Sequence, residues 1–117
     1  GYVLLIGSAC LAVSTTIVST ALSANSVPTT SRIVVFEENI ETPTINTDVI
    51  ASISRDGGST FTTATLSNSG YLTGSSGQRI LTGQATISGQ PSGQSMRWKL
   101  ALANNQVKIH GVSLSWA

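Results

Sequence analysis

Three groups of residues in this chain have types and spacings that could do chemistry. Asp56 lies in the stretch SRDGGSTF (54–61), where a carboxylate among hydroxyls could bind a metal ion or a sugar. His110 is the single histidine and could serve as the base of a Ser-His-Asp triad. The third group consists of carboxylates that could supply the pair a glycosidase requires: Glu37, Glu38 and Glu41.

The stretch around Asp56 is explained most simply as a turn between two strands. Asp-Gly-Gly supplies residues that accept the positive φ angles of a tight hairpin turn, and Asp56 can bond to nearby backbone amides. A calcium loop needs several oxygen ligands at close spacing, whereas the nearest other carboxylate along the chain is Asp48. The pattern Ser-x-Asp-x-Gly-x-Thr-aromatic resembles the Asp-box on hairpins of sialidase-like β-propellers. In that motif the Asp holds the turn and takes no part in catalysis, so we predict a turn and no metal site.

Structural roles also explain the other candidates. His110 has no nucleophile elbow to work with, and we expect it to be a structural hydrogen-bonding residue. The three glutamates fall on a turn-rich segment, where we expect a solvated edge that discourages strand pairing between molecules. Trp98 and Trp116 could form a platform for stacking sugars, but they fall on the apolar side of alternating runs and we assign them to the core. Cys10 is the only cysteine, which excludes an internal disulfide, and we expect it to be a small buried apolar residue.

Composition indicates a small domain with few charges. Only 9% of the 117 residues are charged, against roughly a quarter in an ordinary soluble domain. The six basic residues are scattered singly, without a basic stripe that includes aromatics, so we expect no nucleic-acid partner. We predict no catalytic, cofactor-binding or metal-binding residue, and we expect the chain not to be an enzyme.

Strand-like runs recur along the chain and predict an all-β fold. Turn clusters such as DGG, GSSGQ and GQPSGQ separate them, and no run has helical periodicity. We predict an antiparallel, jelly-roll-like β-sandwich of about seven to nine strands, with residues 1–117 as a single domain. The clearest runs are RIVVFEE (32–38), TDVIASISR (47–55), STFTTATL (59–66), RILTGQATI (79–87), MRWKLAL (96–102) and QVKIHGVSLSWA (106–117).

Two of these runs carry finer predictions. In MRWKLAL, apolar residues alternate with Arg97 and Lys99, which predicts a half-buried strand with a cationic outer face. The last run is apolar at Ile109 and then changes phase at Val112. This change of phase would turn the following side chains to the wrong face of the sheet unless a β-bulge absorbs one residue. Gly111 is a suitable bulge residue.

The first thirty-one residues carry no charge and include the apolar run YVLLIGSACLAV (2–13). Twelve residues are too few for a membrane-spanning helix, which needs about 20. No Lys or Arg precedes the run, although a secretory signal has a positively charged leader. The following STTIVSTALSANSV (14–27) is rich in β-branched residues. We therefore predict β-structure and no membrane insertion, and we expect part of this segment to be covered by another subunit or a preceding domain.

Three long stretches stand in one order over most of the chain: RIVVFEENIETPTINTDVIASISRDGGSTFTTATL, RILTGQATISGQPSGQSMRWKL and VKIHGVSLSW. From about Thr15 to Trp116 the chain resembles C-terminal modules of tailed-bacteriophage structural proteins, especially tail fibre and related adhesion proteins. The segment LSNSGYLTGSSGQ is richer in Gly and Ser than that family, so nothing is carried over to it. The resemblance supplies no catalytic residues.

The resemblance implies a virion protein in which this chain is the C-terminal fragment of a longer protein. It implies homotrimeric fibres on a tail appendage rather than the capsid surface, with loops such as GSSGQ and GQPSGQ binding a host surface glycan. A second hypothesis is a head decoration, head fibre or baseplate protein that binds other virion proteins. A third is a carbohydrate-binding module of a depolymerase.

Overall fold

The computed structural model describes residues 2–6, 14–71, 77–104 and 107–117, so Cys10 lies outside the described residues. None of these residues belongs to a helix, and accordingly none forms a helix suited to crossing a membrane. Nine strands lie in the described ranges: β1 (Tyr2–Ile6), β2 (Ser14–Val18), β3 (Leu22–Ser23), β4 (Thr30–Asn39), β5 (Val49–Ser54), β6 (Thr62–Tyr71), β7 (Gln78–Thr86), β8 (Ser95–Ala103) and β9 (Val107–Trp116).

The strands pair antiparallel in one sheet that curls into a half-barrel. Their order is β1-β9-β4-β7-β6-β5-β8-β2, and β3 also pairs with β8. Strand β6 joins the two sides of the curl, because Thr62 to Ala64 pair with β5 whereas Thr65 to Tyr71 pair with β7. We call β1, β9, β4 and β7 the β4 half, and β5, β8, β2 and β3 the β8 half. This architecture confirms the predicted antiparallel, sandwich-like all-β fold.

Both halves contribute to one hydrophobic core. Ile33 of β4 and Leu114 of β9 are fully buried, as are Ile53 of β5 and Leu100 of β8. Each such side chain contributes about 1.5–3 kcal/mol on leaving water. Along β8 every second residue is buried and those between are half-buried, as the run MRWKLAL predicted.

The change of phase in the last strand is absorbed by a β-bulge, as predicted. Gly111 lies opposite Phe36 and Ile109 lies opposite Glu37, so His110 is the extra residue on β9. Val112 therefore returns to the inner face, where it is fully buried.

The expectation of a solvated edge is wrong for Glu37. Strand β4 lies between β9 and β7, so it is a central strand. Glu37 points inward and is fully buried, and register places Arg79 of β7 directly opposite it. An ion pair between these two side chains makes the burial of the carboxylate possible. Glu38 points outward and is half-exposed.

Strand β6 extends beyond the predicted run, which ended at Leu66. Ser67 to Tyr71 are exposed on both faces, so this part of the strand has no alternation that a sequence could reveal. The Asn46 side chain pairs with the backbone of Leu66: Nδ2 donates to its carbonyl at 3.0 Å and Oδ1 accepts from its amide at 2.8 Å. Asn46 thus satisfies the β6 backbone where β5 no longer does.

Candidate functional site

The Asp56 turn is held by side-chain hydrogen bonds, as predicted. Gly57 and Gly58 have φ angles of 78° and 98°. The Ser54 hydroxyl donates to Asp56 Oδ1 at 2.7 Å, and Oδ1 also accepts from the Thr60 amide at 2.8 Å. Gly58 N donates to Ser54 Oγ at 2.9 Å. These contacts give Asp56 the structural role that the sequence indicated.

Acid should loosen this turn. Partial burial opposes ionisation of Asp56, but hydrogen bonds from Ser54 and Thr60 outweigh it and lower its pKa from 3.8 to about 2. The folded state therefore releases this proton more readily than the unfolded chain does. The ionised Asp56 contributes its full stabilisation above pH 3.8, and this stabilisation is lost as the pH falls through about 2.

We expect Asp56→Asn to be less stable than the wild type at neutral pH, with the difference shrinking between about pH 4 and about pH 2. Urea unfolding of both proteins across this range measures it. A Ser54→Ala variant should shift the Asp56 carboxyl titration, followed by NMR, back toward 3.8. A constant difference between wild type and Asp56→Asn at all pH values would contradict the prediction.

His110 and the glutamates form a small cluster at the bulge. His110 Nε2 lies 2.8 Å from Glu38 Oε1 on the outer face, which supports a structural role for the histidine. On the inner face, Arg79 Nε donates to Glu37 Oε1. The second oxygen of Glu37 is buried without a partner among the described residues. Burial raises the pKa of Glu37, and the Arg79 guanidinium opposes the shift only in part.

The raised pKa of Glu37 predicts an unusual pH dependence for Glu37→Gln. The folded state holds the Glu37 proton more tightly than the unfolded chain does. The protonated carboxyl therefore contributes its full stabilisation below pH 4.5, and this stabilisation is lost as the pH rises through the pKa of the folded state. Because a glutamine resembles a protonated glutamate, we expect the two proteins to agree within about 1 kcal/mol near pH 4. The variant should then become relatively more stable toward neutral pH. Urea unfolding checks this, and a wild type that gains on the variant as pH rises would contradict it.

The loop GQPSGQ is fixed from inside by Arg55. This side chain is only 5% exposed, and its guanidinium donates to four backbone carbonyls. Nε bonds Pro91 O at 3.1 Å, Nη1 bonds Pro28 O at 2.7 Å, and Nη2 bonds Ser88 O at 3.1 Å and also Gln90 O. Within the described residues Arg55 has no ion pair, so carbonyl dipoles alone offset its buried charge.

The Gln90 side chain also forms hydrogen bonds within the protein. Its Nε2 donates to Ile53 O and to Thr62 Oγ1, both at 2.8 Å, while Oε1 accepts from Arg55 N at 2.8 Å. The side-chain amide of Gln90 is therefore already engaged within the protein, whereas glycan binding by this loop stays a prediction. Of the loop GSSGQ, residues 74–76 lie outside the described part of the chain.

A cleft of about 200 Å³ is a better candidate for a ligand-binding site than the GQPSGQ loop. It lies on the outer face of the β4 half, where β4 begins and β9 ends. We call it the Arg32 cleft. Register places Arg32 between Gln84 of β7 and Ser115 of β9. Arg32 and Gln84 are exposed. The cleft is lined by Thr30, Ser31, Arg32, Gln84, Ser115, Trp116 and Ala117.

Backbone hydrogen bonds fix the rim of the Arg32 cleft. Thr30 and Ala117 exchange two backbone bonds, at 3.1 and 3.0 Å, and Thr29 N donates to Ala117 O at 2.8 Å. Behind the cleft, the buried Ser31 hydroxyl donates to Ser115 O at 2.6 Å. The lining side chains thus project from a rigid sheet, which reduces the entropy lost when a ligand binds.

The two tryptophans have different roles. Trp98 is only 2% exposed and belongs to the core, as predicted. Trp116 packs partly against the core, and it is also one of the residues that line the Arg32 cleft. Sequence reasoning assigned Trp116 to the core alone and overlooked the cleft, since its residues come from three strands whose register no local pattern reveals.

The Arg32 cleft is lined by polar groups that can bind a ligand. Its polar side chains offer hydroxyls, an amide and a guanidinium, and none of the described lining side chains is a carboxylate or an imidazole. Three or more metal-binding side chains do not cluster anywhere in the described ranges.

A second, wider cleft of about 460 Å³ lies on the β8 half. It is lined by hydroxyl, methyl and aliphatic groups, including Thr16, Thr47, Ile50 and Ala101, and none of its lining residues carries a charge. Nearby, the Lys99 ammonium lies 4.2 Å from the centroid of the Phe61 ring, a cation–π contact.

Comparison with known proteins adds no relative from which a site could be transferred. No protein family, no curated protein and no solved structure matches this chain.

Proposed function

We propose that this chain is a non-catalytic adhesion domain of a bacteriophage virion and that it binds a host surface glycan. In this proposal the domain is carried as a homotrimer on a tail fibre or a related appendage. The observation that carries the proposal is the Arg32 cleft. Sugars are recognised by hydrogen-bonding groups directed at their hydroxyls, and Thr30, Arg32, Gln84 and Ser115 supply such groups in the cleft. The resemblance of the sequence to phage tail-fibre modules supports the virion setting.

The dimensions of the cleft suggest weak binding by each copy. A cleft of about 200 Å³ is smaller than the roughly 300–1,000 Å³ of typical ligand pockets, so it suits a single sugar ring. Three copies on a fibre would raise the overall affinity through effective concentration.

The proposal is tested by competition for adsorption. The purified chain should reduce attachment of the phage to its host cells, and cryo-electron microscopy of the particle should place the chain at the tip of a tail appendage. Unchanged attachment together with density on the capsid or inside the baseplate would refute it.

A second candidate function is assembly with other virion proteins. It is favoured by the wider cleft on the β8 half, which has no charge, and by Val18, which is 46% exposed on the same half. Apolar surface of this kind is common at protein interfaces. Density that places this face against another virion protein would support it.

A further inference from the structure

Arg32 differs from the other arginines of the described chain. Arg55 bonds carbonyls, Arg79 bonds Glu37, and Arg97 Nη1 donates to Ser19 O at 2.8 Å. Arg32 is exposed, and its guanidinium makes no hydrogen bond or ion pair with the described residues. Its donors are therefore available within the cleft.

Among the described residues, no acidic side chain lies beside this guanidinium. Gln84 and Ser115, its neighbours across the sheet, are both uncharged. Along β4 the first outward-facing carboxylate is that of Glu38, and at about 3.3 Å per residue it lies about 20 Å away. That distance exceeds the Debye length of about 8 Å at physiological ionic strength. No described side chain of the Arg32 cleft therefore offsets the positive charge of Arg32.

From these observations we infer that the Arg32 cleft binds an acidic sugar through its carboxylate. This inference rests on the proposed function and specifies the ligand. The planar guanidinium matches a carboxylate in a two-bond arrangement, while Gln84, Ser115 and Thr30 can bond ring hydroxyls. A single cation suits the single charge of a carboxylate better than the greater charge of a phosphate.

The test uses carboxylated sugars and their neutral counterparts. Trigalacturonate and N-acetylneuraminic acid, each beside its methyl ester, are titrated into the whole chain while backbone amides are followed by NMR. We expect the acids to shift Arg32, Gln84 and Ser115, with Kd on the order of 1 mM. Each ester should bind at least about tenfold more weakly, because hydrogen bonds to charged groups are the stronger ones.

Two variants with the same net charge separate a specific contact from general attraction. Arg32→Gln should weaken binding of the acids at least about tenfold. Lys108→Gln, which removes a positive charge from β9 outside the cleft, should leave binding unchanged. Arg32 is exposed and has no partner among the described residues, so Arg32→Gln should fold. Thermal unfolding of both variants checks that each is folded.

The outcomes distinguish this inference from the proposed function. Equal binding of acids and esters, insensitive to Arg32→Gln, would overturn the carboxylate inference but leave glycan binding in place. Tighter binding of inorganic phosphate would overturn it as well. If no sugar binds while the purified chain still blocks phage attachment, only the inference is wrong. If the chain neither binds these sugars nor blocks attachment, both proposals are wrong.

Discussion

Replacing Arg55 with alanine is expected to lower the free energy of unfolding by about 3–5 kcal/mol. The change removes the donors of four backbone carbonyls and so releases the 88–91 loop from Pro28. A buried acceptor left without a partner costs about 1–3 kcal/mol, and partial hydration of the opened loop keeps the total below the full sum. Arg55→Lys should recover part of the loss, because a single ammonium cannot reproduce the planar fork of donors.

Urea unfolding followed by the fluorescence of the buried Trp98 measures this effect. Arg32→Ala is the matched control, since it removes the same side chain from an exposed position and should change stability by less than about 0.5 kcal/mol. Equal stabilities for the two alanine variants would show that the Arg55 contacts do not hold the fold.

Deleting one residue of β9 should be tolerated at the bulge and damaging next to it. Without His110, Ile109 and Gly111 become consecutive and already face the consecutive residues Glu37 and Phe36, so the ladder closes without a slip. The deletion loses the contact with Glu38, and we expect it to cost about 1 kcal/mol or less.

Deleting Ser113 cannot preserve the pairing of β9 with β4 in this way. If the end of β9 slips, the fully buried Leu114 turns outward; if the bulge is used up instead, Val112 turns outward and Gly111 takes its place in the core. Either rearrangement should cost about 3 kcal/mol.

Circular dichroism and urea unfolding of the two deletion variants provide the comparison, with Ser113→Ala as the control that keeps the chain length. If both deletions lowered the free energy of unfolding equally, the prediction would be wrong, because His110 would then be as necessary to the β4–β9 pairing as Ser113.

The fold could be predicted largely because one face of most strands is buried. The alternation from Met96 to Leu102 and the change of phase before Val112 are both local patterns, and each translates directly into backbone geometry. Burial of Glu37 was missed because it depends on Arg79, which only strand register places opposite it. Arg55 was missed for a similar reason, since the carbonyls it bonds lie in segments distant along the chain.

The candidate site was harder to predict than the fold. Arg32, Gln84 and Ser115 occupy outward positions on three strands, and outward polar residues look alike in a sequence. Only the pairing of β4 with β7 and β9 brings them together, and neither composition nor motif specifies that pairing.

The alternation along these strands also separates two kinds of evolutionary change. Arg32 is followed by the fully buried Ile33, and Ser115 is preceded by the fully buried Leu114. A substitution at an outward position changes the exposed surface and leaves the interior packing untouched, whereas one at an inward position affects folding. The outer face can therefore diversify by single substitutions while the framework is inherited unchanged.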